Sequence, residues 1–121
     1  MSLITITKGR NGWTASSEFA LDVLTHAQRG SKPAPGRSVL SLDTYKCREG
    51  LKCVASVTFR TDDGLSTHAL GAGGDYYRTV LDKKARCTET AVRDLHYEAL
   101  RATNAILAEA RAFYELKGGA S

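Results

Sequence analysis

The strictest constraint in this chain is a period-two run that one short turn closes at each end. From Leu51 to Thr61, Leu51, Cys53, Ala55, Val57 and Phe59 alternate with polar or smaller residues, so a strand here puts all five on one face. Glu49-Gly50 precedes the run as a turn, and Asp62-Asp63-Gly64 follows it as a hairpin loop with glycine in the left-handed position. The flanking segments Ser38–Lys46 and Leu65–Leu70 then read as its neighbours in a three-stranded antiparallel meander. A two-residue first turn sets Leu42 opposite Val57 and Leu40 opposite Phe59. A three-residue second loop sets Thr67 opposite Phe59 and Ala69 opposite Val57. One face is then apolar (Leu40, Leu42, Ala55, Val57, Phe59, Leu65, Ala69). The other is polar (Ser41, Asp43, Tyr45, Ser56, Thr58, Arg60, Ser66, His68). Such a sheet is covered by helices on one side only.

The rest of the chain supplies that cover. Ser16 or Ser17 is a plausible N-cap, and Phe19, Ala20, Val23, Leu24 and Ala27 recur at helical spacing, which predicts a short helix over about 17–28. Residues 3–8 alternate, and Asn11-Gly12 is a hairpin signal, so an N-terminal hairpin returning through Trp13-Thr14-Ala15 extends the sheet. Pro33 and Pro35 mark a loop. From about Lys83 to Leu116, Val92, Leu95, Ala99, Ala102, Ile106, Ala110 and Phe113 form a stripe that predicts one long C-terminal helix, with a break near Asp82–Thr90 or in the last turns as the alternative. At 1.5 Å per residue such a helix runs roughly 50 Å, longer than the sheet can cover. That excess points to a homodimer through the C-terminal helix. The expected fold is a single α+β domain over residues 1–121.

Composition narrows the function classes. The 121 residues carry a formal charge of +4, compatible with a phosphate-bearing partner. Three cysteines, Cys47, Cys53 and Cys87, are odd in number and widely spaced, which argues for a reducing compartment rather than a disulfide scaffold. No apolar run approaches a membrane span, and the N-terminus lacks the pattern of a secretion signal, so a cytoplasmic location with no membrane partner is expected.

No residue set carries a catalytic signature. His26, His68 and His96 fall on three different elements, no G-x-S-x-G or P-loop pattern occurs, and Cys47, Cys53, Cys87 and His96 lack metal-ligand spacing. No cofactor and no metal are expected, and the balance lies against an enzyme. The Gly71–Gly74 run reads as a connection between a sheet edge and a helix, since it matches neither phosphate-binding glycine motif. The leading candidate is the basic cluster Arg78, Lys83, Lys84 and Arg86, expected at the start of the C-terminal helix beside Tyr76 and Tyr77. Cations there hold a nucleic-acid backbone while a tyrosine stacks on a base. The second candidate is the polar sheet face with Tyr45, Arg60 and His68, as a small-ligand site. A third reading is a protein–protein adaptor or inhibitor acting through the long helix or a sheet edge.

The order helix, meander, helix from about 17 to 116 resembles the double-stranded RNA-binding domain. The Gly-rich exit and Lys83-Lys84 are similar in kind to that family's phosphate-contacting segment. The stretch Lys83-Lys84-Ala85-Arg86-Cys87-Thr88-Glu89 departs from the family's pattern of a further lysine and an alanine-rich run.

Overall fold

The computed structural model describes residues 4–21, 36–61 and 64–119. Among the described residues the fold is α+β: a six-stranded antiparallel sheet with two helices. The strands are β1 (Thr5–Gly9), β2 (Gly12–Ala20), β3 (Gly36–Cys47), β4 (Gly50–Thr61), β5 (Gly64–His68) and β6 (Tyr77–Lys83). The helices are α1 (Glu89–Leu100) and α2 (Thr103–Gly119). The expected N-terminal hairpin is present as β1 and β2.

β4 organises the sheet. β3 pairs along its whole length on one edge. On the other edge β5 takes residues 57–61 and β6 takes residues 51–56, so the two lie end to end along one strand. The chain leaves β4 at the Val57↔His68 pair and rejoins it at the adjacent Ser56↔Tyr77 pair. Residues 69–76 therefore make an excursion within what is otherwise one edge strand. The excursion drops Leu70 into the core, where it is 1% exposed.

The glycine run makes the turn of this excursion and leads into a strand, not into a helix as the sequence suggested. The Gly74 N–H donates to the Gly71 carbonyl, and the Leu70 N–H donates to the Asp75 carbonyl. Arg78 clamps the turn onto α2: its guanidinium donates to both oxygens of Asp75 and to both of Glu109, at 2.7–3.3 Å. These bonds, from Glu109 foremost and then Asp75, raise the Arg78 pKa and hold both carboxyls below their usual range. Arg78→Ala should destabilise the fold by about 1 kcal/mol, a modest figure because the ions are partly solvated. Equilibrium urea unfolding checks it, and the loss should shrink at high salt.

The two sheet turns differ from expectation in instructive ways. The first closes through Cys47↔Gly50, with Arg48-Glu49 at its tip, so Leu40 pairs with Val57 and Leu42 with Ala55. That is a shift of two residues, which preserves which side chains share a face. The second closes through Thr61↔Gly64, and Phe59 pairs with Ser66 rather than Thr67. That is a shift of one, which turns β5 over: Ser66 and His68 stand on the Phe59 side, and Thr67 on the other.

The predicted helix over 17–28 is corrected for residues 17–20, which belong to β2, and Leu21 follows in no regular element; residues 22–28 lie outside the described residues. The order that resembled the double-stranded RNA-binding domain is departed from after the meander, where β6 stands before the first C-terminal helix. Ala15, Ser17 and Phe19 face the same side of the sheet as Leu40 and Leu42, with Leu21 buried just beyond. The serine in the middle of this set hid the period-two alternation.

The long C-terminal helix is likewise corrected. Tyr77–Lys83 is strand, residues 84–88 form no regular element, and helix begins at Glu89, capped by the Thr88 hydroxyl accepting from the Ala91 N–H. A second interruption falls at Arg101-Ala102, where the Ala102 N–H donates to the Ala99 carbonyl. Val92, Leu95, His96, Ala99, Thr103, Ile106, Leu107, Ala110 and Tyr114 are buried across both helices. The stripe therefore packs on the sheet, and the length argument for a second copy no longer applies. α1 seals one core cluster with Ala15 and Leu51, and α2 seals the other with Leu40, Val57, Phe59 and Leu70. The Tyr114 hydroxyl donates to the Ala69 carbonyl, which fastens α2 to the excursion.

Candidate functional site

Three connections meet at one end of the sheet: the β1–β2 turn, the β3–β4 turn, and the link from β6 to α1. Glycine lets them meet. A side chain at Gly50, whose φ is +147°, would place its Cβ 2.2 Å from the Lys83 carbonyl oxygen and 2.9 Å from the Lys84 Cα. At Gly12, φ +116°, a Cβ would lie 2.9 Å from the Cys87 sulfur. The Cys87 thiol itself donates to the Trp13 carbonyl at 3.3 Å. Backbone thus packs against backbone, and the side chains of two separate basic segments are left around a shared hollow.

That hollow has two adjoining parts. The larger, about 620 Å³, is lined by Asn11, Lys46, Arg48, Arg86, Cys87 and Thr88 among others. The smaller, about 370 Å³, is lined by Lys52, Thr79, Asp82, Lys83 and Lys84 among others. Cys47 and Glu49 line both, so the two form one groove. Six cations (Lys46, Arg48, Lys52, Lys83, Lys84, Arg86) face two carboxylates (Glu49, Asp82), a local formal charge of +4. The whole chain also carries +4, so the remainder is balanced and the excess sits here.

Of the residues singled out in the sequence, Lys83, Lys84 and Arg86 lie together in this groove. They stand at the end of β6 and on the link to α1, not at a helix start. Tyr77 opens β6 on the sheet face turned away from the helices, and Tyr76 precedes it; they are 65% and 55% exposed. Arg78 points to the opposite face and is engaged by Asp75 and Glu109. Tyr45 and His68 are not brought together, and the Arg60 side chain lies outside those described. Tyr45 stands on the face away from the helices. His68 stands on the helix side, its Nε2 bonded to the Ser66 hydroxyl at 2.9 Å. The face away from the helices is also less open than the sequence suggested, with Val39, Ser41, Val54 and Ser56 buried at its centre. Burial, and then Glu18, push the Asp43 carboxyl there above its usual range.

Sequence reasoning missed Lys46, Arg48 and Lys52. Lys46 and Lys52 fall in strands by pattern, and the β4–β6 pairing together with the close contact at Gly50 brings this segment beside Lys83–Arg86. The available signal was the Lys46-x-Arg48 pair at a turn tip, which carries no address by itself.

Gly50→Ala should destabilise the fold by about 2–3 kcal/mol, because the new methyl meets backbone and strains a left-handed residue. Urea unfolding checks the loss. Gly64→Ala is the control, since its φ of +137° is similarly strained but a Cβ there meets nothing within 4 Å.

Among the described residues no cluster of three or more His, Cys, Asp or Glu could hold a metal ion, and no helix is long and apolar enough to cross a membrane. Comparison of the chain with family models, curated proteins and solved structures returns no match.

Proposed function

We propose that this protein is a non-enzymatic nucleic-acid-binding protein whose contact surface is the groove at the Gly50 end of the sheet. The observation that carries the reading is the gathering of six cations from two separate segments around one hollow, against two carboxylates. Cations gathered around one groove suit a phosphate backbone, which presents charge at regular intervals and releases counterions when bound. Lys46, Arg48, Lys83, Lys84 and Arg86 are exposed, so they are free to meet a ligand without unpacking the core. Arg78 leaves the proposed contact set, because its guanidinium is already saturated by two carboxylates and serves the fold.

The test is fluorescence anisotropy with labelled DNA and RNA at two salt concentrations. Micromolar or tighter binding that falls steeply with salt supports the reading; no binding at low salt removes it.

A further inference from the structure

We infer that the ligand of this groove is a single strand, held by its phosphates at the Gly50 end and by stacked bases along β6. The inference rests on the nucleic-acid reading above and narrows it to unpaired DNA or RNA.

The groove does not end blindly. Thr79 lines its smaller part, and Tyr77 is the next residue but one on β6, on the same sheet face. Two residues of strand span roughly 7 Å. Tyr45 stands on that face too, opposite Lys52, whose ammonium lies 5.6 Å from the Tyr45 ring. One groove cation, Lys52, therefore shares a face with two tyrosine rings, one of them 65% exposed. The ring of Tyr77 has no packing role in either core cluster. Bases can use such rings only when they are unstacked from one another.

One further observation weighs against a duplex. α1, the helix beside the groove, is not suited to a major groove: it carries Glu89, Asp94 and Glu98 against Arg93. A helix read into DNA needs the opposite sign on its exposed face.

Anisotropy titrations should use labelled oligo-dT, oligo-U and a mixed-sequence duplex, each about 16 nucleotides long, the upper site size for a small single-strand-binding fold. At least one single strand should bind about tenfold or more tightly than the duplex. The dT and U arms separate DNA from RNA. Tyr77→Ala should weaken single-strand binding by about tenfold with the salt slope unchanged, and Tyr77→Phe should keep it. Duplex binding as tight as or tighter than single-strand binding, or no effect of Tyr77→Ala, overturns the inference and leaves the nucleic-acid reading standing. Absence of binding to all three removes both.

Discussion

His96→Ala should cost the fold about 3–5 kcal/mol, the largest single-residue effect expected here. His96 is fully buried on α1, and its two ring nitrogens are both engaged. Nε2 lies 2.8 Å from the Ser17 hydroxyl on β2, and Nδ1 lies 2.7 Å from the Thr44 hydroxyl on β3. Alanine would leave a cavity and two buried hydroxyls without the partner that joins the helix to two strands. Burial also lowers the His96 pKa below its ordinary 6.5, so the folded protein holds the neutral ring. Below pH 6.5 the unfolded chain binds a proton that the folded chain resists. Stability contributed by this group is therefore fully present above pH 6.5 and is lost as pH falls from there through the folded pKa. The ion-paired carboxyls Asp75 and Glu109, with pKa values lowered by Arg78, act only at more acidic pH. Urea midpoints at pH 7.5 and about 5.5 isolate the histidine window. The wild type should lose stability between them, and His96→Gln should lose less.

Removing four cations at once, Lys46→Ala, Arg48→Ala, Lys83→Ala and Lys84→Ala, should weaken nucleic-acid binding by about 10- to 100-fold at low salt. The same change should flatten the logarithmic salt slope by up to about 3, given about 0.7 per phosphate contact on a single strand. All four side chains are exposed, so unfolding midpoints should barely move. The two pairs come from segments far apart in sequence but line one groove. Each pair removed alone should therefore give roughly half of the slope change. If only one pair matters, the groove is not the unit of recognition.

The strands were legible wherever one face alternated cleanly, as in β3 and β4. They were hidden where a buried position is polar. Ser17 and Thr44 face the core because His96 bonds both, and no single-chain pattern announces a serine–histidine–threonine link across 79 and 52 positions of sequence. The β5 register was lost to one residue of loop length, which decides the face of every side chain that follows. The interruption at Arg101-Ala102 left no mark because the buried stripe passes from Ala99 to Thr103 in unbroken helical spacing, with neither glycine nor proline. Half of the candidate site was readable as Lys83, Lys84 and Arg86. Lys46, Arg48 and Lys52 became part of it through the pairing of β4 with β6 and the close backbone contact that Gly50 permits.

The central claim is that these two basic segments form one nucleic-acid surface. The most direct measurement is a ¹⁵N–¹H NMR titration of the protein with a short oligonucleotide. The account predicts that amide shifts concentrate at Lys46–Lys52 and Lys83–Thr88, extend along β6 to Tyr77, and leave α2 unmoved. Shifts centred on α2, or none at all, would contradict it.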